Sequence, residues 1–468
     1  MITIGPKKSK PYFWLLITIV LSLASPKTLK AQEEKVITLD HAIRMALEHD
    51  YQAKIAKNDL EKAKLVVKGK VIDALPKIEV GAEQGENLTT GSDLQNATVT
   101  VTETIPTNFQ LYGKKTASER EISKWGQQSS EAEYRISRAE LTYNTISLYH
   151  SAVKAKRLVD YQEAAVKNAQ AEAEYANTQL GLGKITKVDQ LTAETDLAKA
   201  RFELESSRQE YLVNLKQLAQ QIGVKDYRLL RLDQTVTSRP VIDVSDYEQL
   251  KATALKQRLE LEKTRLTVKE AEQELAKAIN TGLPNLSLAY QNRDREESSN
   301  LEYDFLNGDL SWTAAWQKDY QDDITNGSND DVFGSSKRQY KLKLSWELGF
   351  GGNKNQIQQV AYTLENAKLA ELQSTEDIIA EVDAAASAYE LALQKIAQAE
   401  QGTALYQKDL ELTKLKYQLG KATSFQVTDA ELKLLNAQVE SDNANSDLEI
   451  AAEKLRLKLG ELYDYPSK

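Results

Sequence analysis

The chain has 468 residues, of which 41% are hydrophobic and 28% charged, and its formal net charge is −9. This composition excludes a helical membrane transporter, and the acidic balance argues against a general nucleic-acid binder, which would carry a basic stripe. The absence of cysteine excludes disulfides, thiolate zinc sites and cysteine nucleophiles, and also the acylated cysteine of a lipoprotein.

The N-terminus has the order of a secretory signal. Three lysines within the first ten residues precede an apolar run at residues 12–24, and a polar stretch ending in Ala31-Gln32 follows. The apolar run is too short to span a bilayer comfortably, so residues 1–31 are predicted to be a signal peptide rather than a membrane anchor. The mature chain, starting near Gln32, is therefore expected to be exported.

The first repeat, residues 32–244, begins with an amphipathic helix. Thr38 is a suitable N-cap, and the apolar spacing continues to about Val71, before Leu75-Pro76. Two strands are predicted at about 77–105, with apolar side chains on one face and charged or hydroxyl side chains on the other. This alternation is typical of outer-membrane barrel strands, and also of half-buried strands in soluble sheets.

A long helical hairpin is predicted next, with its tip near Gly183. The run 114–180 carries apolar residues and alanines at steps of four and three, which is typical of a coiled-coil seam. A second apolar stripe is offset from this seam, so the helix is expected to pack on two neighbours. The returning helix covers 188–219, and the linker 224–244 is predicted to be irregular or short-stranded. The seam comprises Leu141, Thr145, Leu148, Ala152, Ala155, Val159, Gln162, Val166, Ala169, Ala173, Ala176 and Leu180.

The second repeat, residues 245–468, starts with a helix near Ser245-Asp246 that stops before Leu283-Pro284. Strands are predicted within about 285–348, separated by a long loop at 292–337 that is expected to be extracellular. Within that loop, one alternating group is expected either to extend a strand or to form an aromatic girdle. The group is Leu310, Trp312, Ala314 and Trp316.

A second helical hairpin closes this repeat, with its tip near Gly420. No proline occurs from 353 to 419, so a helix of about 100 Å is possible at about 1.5 Å per residue. Its apolar seam comprises Ile379, Val382, Ala386, Tyr389, Leu393 and Ile396.

The two hairpin tips indicate that the chain is a duplication. Gly183-Lys184-Ile185-Thr186 returns as Gly420-Lys421-Ala422-Thr423, at an offset of 420 − 183 = 237 that continues without a gap to Gly223 and Gly460. The predicted fold is therefore mainly α-helical, with a repeated helix, strand, strand, long helix, turn, helix unit. Four strands alone could not close a barrel around a lumen, so a barrel would need several chains.

This order of elements resembles the outer-membrane efflux protein (TolC) family over essentially the whole mature chain. The most specific features are the two glycine tips, the Leu-Pro before each outward strand, and the sites Gly113-Lys114 and Gly351-Gly352, where the strands lead back into helices. The resemblance implies a homotrimer with a periplasmic α-helical barrel, continuous with a shared 12-stranded β-barrel in the outer membrane. It also implies a passive exit duct, served by an inner-membrane transporter through a periplasmic adaptor. Separately, no ligand spacing or motif in the sequence predicts a cofactor or metal.

The resemblance also assigns functional residues at the hairpin tips. Asp429 matches one of the family's constriction carboxylates, whereas the position of its companion is Gln426, a departure that weakens a double acidic ring. The equivalent places in the first half are Asp189 and Thr192, and helix capping by the two aspartates is an alternative role. The expected adaptor-docking residues are Leu182, Gly183, Lys184, Leu419, Gly420 and Lys421.

No catalytic constellation is visible, so the chain is not expected to be an enzyme. His41 and His49 are eight residues apart rather than four, and together with His150 they are predicted to be solvated helix residues. An exported coiled-coil structural or adhesin-like protein is the alternative function, although it leaves the alternating strands unexplained. A surface enzyme using the long acidic loop has no motif behind it.

Overall fold

A computed structural model describes residues 35–73, 75–87, 92–107, 109–234, 242–293, 297–319, 337–346 and 352–461. The predicted signal peptide, 1–31, lies outside these residues, as do the predicted start near Gln32 and the re-entry residue Gly351. Over the described residues the chain forms eight α-helices and eight β-strands. The mainly helical fold with a smaller sheet agrees with the prediction.

Elements of the first half follow the predicted order of helix, two strands, long helix, turn and helix. Pro76 directly precedes the strand that begins at Lys77, and a single turn of 3-10 helix at Tyr227–Leu229 precedes the strand that begins at Leu230. The elements are β1 (Lys35–Ile37), α1 (Leu39–His49), α2 (Tyr51–Asp73), β2 (Lys77–Asn87), β3 (Ser92–Pro106), α3 (Glu119–Gly181), α4 (Lys187–Ile222) and β4 (Leu230–Leu232).

Elements of the second half repeat this order, with two additional strands. Asp246 caps the first helix through its side chain, which accepts from the Gln249 N–H at 3.0 Å. The elements are α5 (Tyr247–Gln257), α6 (Leu259–Thr281), β5 (Asn285–Arg293), β6 (Glu297–Asp304), β7 (Asp309–Asp319), β8 (Lys337–Ser345), α7 (Gly352–Gln418) and α8 (Ser424–Leu459).

The first helix of each half is interrupted once, so the prediction of one continuous helix from Thr38 to about Val71 is wrong. Asp50 adopts extended backbone and its carboxylate accepts from the Ala53 N–H at 2.8 Å, which caps a new helix. Arg258 makes the corresponding break between α5 and α6. The offset, 258 − 50 = 208, equals that of Pro284 and Pro76, so the interruption belongs to the repeated unit.

Six of the strands form one antiparallel sheet with the order β2-β3-β7-β6-β5-β8. The prediction of a long loop over 292–337 is therefore wrong for 297–304, which forms β6, and for 309–319, which forms β7. Of the two expectations for the group from Leu310 to Trp316, the one that placed it in a strand is confirmed, although this strand is β7 itself and not an extension of another. Over the described residues the sheet has six strands in one chain, rather than the four expected. The physical reason is local composition: β6 reads Glu-Ser-Ser-Asn-Leu-Glu-Tyr-Asp, a polar stretch with weak strand propensity that is held by its neighbours.

A separate parallel pair joins β1 to β4, which brings the start of the described chain to the end of the first hairpin. Over its described residues, 224–234 and 242–244, the linker agrees with the prediction that it is irregular or short-stranded. Tyr149 on α3 fixes the junction, since its hydroxyl lies 2.9 Å from the Ile37 carbonyl oxygen and 2.8 Å from that of Asp233. The phenol is buried, and burial raises its pKa.

Each half has its own apolar core near the base of its hairpin. In the first, Leu218 and Ile222 of α4 pack against α1, α3, β1 and β4. In the second, Tyr389 and Leu455 pack helices α7 and α8 against α5 and α6. The predicted seam residues on α3 and α7 are buried or half-buried, as the heptad spacing predicts.

Candidate functional site

The two hairpin tips reverse direction through the same backbone conformation. Gly183 and Gly420 both have φ +69°, in the left-handed region that non-glycine residues avoid. The Gly183 N–H donates to the Leu180 carbonyl at 2.9 Å, and the Gly420 N–H donates to the Tyr417 carbonyl at 2.9 Å. The next N–H in each case donates to a carbonyl one residue further back, which completes a Schellman-type helix end.

A capping box starts the returning helix in both tips. The Thr186 hydroxyl accepts from the Asp189 N–H at 3.2 Å, while the Asp189 carboxylate accepts from the Thr186 N–H at 2.9 Å. In the second tip the Thr423 hydroxyl accepts from the Gln426 N–H at 3.3 Å, and the Gln426 amide oxygen accepts from the Thr423 N–H at 3.0 Å. In both tips the threonine hydroxyl therefore satisfies the N–H of the third helical residue, whereas the N-cap N–H is satisfied by a carboxylate in one tip and by an amide oxygen in the other.

The charge of Asp189 is stabilised by this arrangement. The Thr186 hydroxyl donates to the same carboxylate oxygen at 2.7 Å. Side-chain and then backbone hydrogen bonds from Thr186 lower the pKa of Asp189. This exposed carboxylate is ionised at neutral pH, so it contributes negative charge to the tip surface while it caps the helix.

Asp429 has a different partner. Its carboxylate lies 2.7 Å from the Lys433 ammonium one turn further along α8, and this hydrogen bond raises the pKa of Lys433. Thr192, the residue in register with Asp429, donates its hydroxyl to the Val188 carbonyl at 3.0 Å within its own helix. Of the four predicted gate residues, the structure therefore places Asp189 and Gln426 in capping roles, and Thr192 and Asp429 in contacts within their own helices.

The predicted docking residues include one exposed leucine side chain at each tip. Leu182 is 62% exposed and Leu419 is 64% exposed, each directly before its glycine. A Cβ added at Gly183 or Gly420 would meet no atom within 4 Å, so the chain itself leaves the space beside both glycines open. Beneath the first tip, Ala173, Ala176 and Ala193 pack closely and bring α3 and α4 together.

Sequence reasoning missed a buried polar contact between the halves, where α3 packs on α8. The Arg157 guanidinium donates to the Asp442 carbonyl at 2.9 Å and to the Ser446 hydroxyl at 3.0 Å. Another of its nitrogens donates to the Gln234 carbonyl at 2.9 Å. The side chain is buried, which lowers its pKa. The available signal was a polar stripe at helical spacing on α8, which includes Asp442 and Ser446.

His150 belongs to the same contact, so the prediction that it is solvated is wrong. Its Nε2 atom lies 2.9 Å from a carboxylate oxygen of Glu449, and both side chains are buried or nearly so. Lys154 pairs with Asp447 at 2.6 Å on the neighbouring turn. The burial follows from the packing of α3 on α8, which joins residues about 300 positions apart and leaves no local trace in the sequence.

Over the described ranges, no group of three or more histidine or acidic side chains is positioned to hold a metal ion. None of the helices in those ranges has an apolar stretch long enough to cross a membrane.

Several solved structures share this fold. The outer membrane channel CmeC of Campylobacter jejuni matches with a TM-score of 0.62 at 16% identity, covering 92% of this chain and 87% of that one. The outer membrane protein VceC of Vibrio cholerae matches with a TM-score of 0.62 at 17% identity, covering 90% and 96%. The outer membrane channel MtrE of Neisseria gonorrhoeae, in its open state, matches with a TM-score of 0.56 at 16% identity, covering 90% and 88%.

No curated protein matches the chain by sequence. The family model for the outer membrane efflux proteins matches residues 42–224 and 250–461, one segment in each repeat, which is most of the chain. This confirms the resemblance drawn from the glycine tips and the order of elements. The chain belongs to the outer membrane efflux protein family.

Proposed function

We propose that this protein is a passive exit duct in the outer membrane, formed by three copies of the chain. The observation that carries the proposal is the family match across both repeats, together with a fold shared with solved outer membrane channels. The sheet adds support, because one of its faces is apolar and the other polar, which suits lipid outside and water inside. The alternative of an exported coiled-coil protein has no use for such a sheet.

The long helices are proposed to form the periplasmic part of the duct. α3 packs against α4 and α2 and also against α6 and α8, so it has neighbours on two faces, as a helix in a ring requires. At 63 residues for α3 and 67 for α7, each spans about 100 Å at about 1.5 Å per residue. A length of this order is suited to reach from the outer membrane toward an inner-membrane transporter.

The tips are proposed as the docking site for a periplasmic adaptor. Leu182 and Leu419 present exposed apolar side chains beside exposed Lys184 and Lys421, and both glycines leave room for an approaching backbone. An exposed apolar side chain surrounded by polar residues is suited to a protein interface, which typically has an apolar centre and a polar rim. The gate is proposed at the same level, with Asp189 and Asp429 giving 2 × 3 = 6 carboxylates in a trimer and favouring cations.

The decisive experiment is purification from outer membranes in detergent, followed by mass determination and recording in a planar lipid bilayer. A trimer that conducts ions is the expected result. A water-soluble monomer without conductance would contradict the duct and favour the structural alternative.

The gate is tested by Asp429→Asn in the conducting trimer. Removing three carboxylates is expected to lower the cation-to-anion permeability ratio and to weaken block by multivalent cations. The matched control is Asp59→Asn on α2, an exposed aspartate far along the chain from the tips, which should leave selectivity unchanged. Unchanged selectivity in the Asp429 variant would assign that residue to helix stabilisation alone.

A further inference from the structure

The β6–β7 hairpin forms two strands of the six-stranded sheet, which we call the wall, and is not a loop beyond the ends of the strands. We propose that each protomer contributes six strands, so that three copies close an 18-stranded barrel (3 × 6 = 18) instead of the expected 12-stranded one. This inference rests on the proposed trimeric duct, and it assigns β2 of one copy as the partner of β8 in the next.

Side chains of the hairpin continue the two faces of the sheet near the turn, whereas Glu297 and Ser299, at the start of β6, place polar groups on the apolar face. One cross-strand row is apolar through five strands: Ile105, Leu310, Tyr303, Leu288 and Leu342. Since paired residues project to the same face, these side chains form one continuous apolar band. The exposed fractions of Ile105, Leu288 and Leu342 are 47%, 43% and 69%, so the chain itself leaves much of the band uncovered.

The opposite face is polar across all six strands. Thr102 and Thr313 lie an odd number of positions from the apolar row, so they project to the other side of the sheet. Their cross-strand row contains only polar residues, contributed by β2, β3, β7, β6, β5 and β8 in that order. The row is Lys77, Thr102, Thr313, Asn300, Gln291 and Gln339. If the hairpin lay outside the sheet, its side chains would not be expected to continue both the apolar and the polar face.

The turn of the hairpin, residues 305–308, is anchored where the strands meet the helices. The Thr107 N–H donates to the Gly308 carbonyl at 2.7 Å, and the Leu111 N–H donates to the Phe305 carbonyl at 3.0 Å. Gly308 has φ +73°, and a Cβ there would lie 2.6 Å from the Phe109 carbonyl oxygen. The turn is thus fitted between the end of β3 and the start of β5, which separates these two strands at the base of the wall.

The two edge strands are suited to pair with a second copy. Every adjacent pair in the sheet is antiparallel, so β2 and β8 run in opposite directions across the six strands. A neighbouring copy therefore brings its β2 antiparallel to β8, and the alternation of apolar and polar faces continues across the seam. Pairing of this kind also removes the open edges, which would otherwise expose unpaired backbone groups.

A wider outer opening follows from the larger strand number. Barrel diameter grows roughly linearly with strand number, and barrels of about 16–18 strands hold an aqueous channel. The strand region would then offer little resistance to a bulky solute, and selection among solutes would fall on the helical tips.

Strand order is tested by cysteine pairs in the outer-membrane protein, since the chain has no cysteine of its own. Ile105→Cys combined with Leu310→Cys should cross-link through a reagent of about 10 Å reach, because those strands are adjacent. Ile105→Cys combined with Leu288→Cys should not, because three strand spacings place the two residues about 14 Å apart. Cross-linking of the second pair and not the first would show β3 beside β5, and would overturn the inference.

The seam is tested by pairing Ile78→Cys or Val80→Cys in β2 with Leu342→Cys or Leu344→Cys in β8, all on the apolar face. Covalent dimers and trimers are expected from at least one combination. Glu79→Cys with Leu342→Cys, on opposite faces, is the matched control and should give none. An internally linked monomer, or no link from any same-face combination, would overturn the inference.

These results are independent of the ion-conduction test. Conductance with a β3–β5 cross-link would retain the duct and reject 18 strands. A conducting trimer that gives the Ile105–Leu310 link and the seam links supports both.

Discussion

The two hairpin tips share a backbone but differ in charge placement. Both reverse at a glycine with φ +69° and both restart at a threonine N-cap. In the first tip the nearest carboxylate, Asp189, is bound to the backbone of that cap. In the second, Gln426 takes the capping role, while Asp429 lies three residues further and pairs with Lys433.

This difference shows that the reversal of the chain and the charge at the tip have separate structural requirements. The reversal depends on conformation, which a glycine and a hydroxyl residue supply, and both are present in each copy. The capping partner needs only an acceptor oxygen at the third helical position, so carboxylate and amide are interchangeable there. Charge at the tip could therefore diverge between the repeats without loss of the turn.

The largest expected effect comes from the glycines. Gly183→Ala and Gly420→Ala should each destabilise the local hairpin by about 1–2 kcal/mol, because a left-handed conformation is forced on an L-residue. Equal φ values and open space around both Cβ positions predict equal effects. The local loss of stability is measured by amide hydrogen exchange at the C-terminal ends of α3 and α7.

Gly402→Ala is the control for the glycine variants. It lies inside α7 with no atom near its Cβ, so the substitution should stabilise the helix by about 0.5–1 kcal/mol. A clearly larger loss at one tip than at the other would contradict the equivalence of the two turns.

Loss of the caps should have the next largest effect. Thr186→Ala and Thr423→Ala are each expected to cost about 1 kcal/mol of local stability, as N-cap removal typically does. The loss should be slightly greater for Thr186, since its hydroxyl also donates to Asp189. The measurement is hydrogen exchange in the first turns of α4 and α8. Thr192→Ala, whose hydroxyl bonds within an exposed helix turn, should change little; an effect as large as that of the caps would argue against the capping assignment.

The two tips are also expected to differ in how their local stability depends on pH, and this effect is smaller than that of losing a cap. The folded pKa of Asp189 is lowered, so its stabilising contribution is complete above the unfolded value of about 4 and is lost as the pH falls through the folded pKa. Intrinsic-rate-corrected amide exchange at 186–190 should therefore accelerate in acid, whereas exchange at 423–427 should not. Gln426→Glu should transfer the acid sensitivity to the second tip, and Asp189→Asn should abolish it in the first. Equal acid responses in the unmodified tips would refute the distinction.

The smallest effect is expected from the exposed ion pair. Lys433→Gln should cost no more than about 0.5 kcal/mol, because exposed pairs one helical turn apart contribute little. Thermal unfolding at low and high salt measures the loss, which should shrink as salt screens the pair. Lys199→Gln, which removes a longer exposed pair with Glu203, is the matched comparison and should have even less effect.

Features with local physical causes could be predicted from the sequence. These features are glycine and threonine at the tips, proline before the outward strands, and heptad spacing along α3 and α7. Each of them acts within a few residues. The sequence therefore predicted the order of helices and strands in the first half, and that of the second half except for the β6–β7 hairpin. The gate and docking roles of the tip residues stay predictions, since they depend on copies and partners that one chain does not contain.

Features that depend on distant partners could not be predicted. β6 is too polar to be recognised alone, and its place in the sheet comes from β5 and β7. Arg258 breaks a helix although it has no capping side chain, because its guanidinium pairs with Glu381 at 2.9 Å and reaches the Lys458 carbonyl. Burial of Arg157 and His150 likewise depends on a helix far along the chain.

The buried contact of Arg157 with α8 has a mechanical consequence. Sliding α3 along α8 would leave a buried guanidinium without its acceptors, which is costly, so the packing of these two helices should be stiff at this level. From Arg157 to Gly181 there are 181 − 157 = 24 residues, or about 36 Å of helix at about 1.5 Å per residue. The part of α3 between Arg157 and Gly181 lies on the tip side of this buried contact. If the proposed gate opens at the tips, we expect the displacement to lie on the tip side of Arg157, and spin labels placed on α3 on both sides of that residue would measure it.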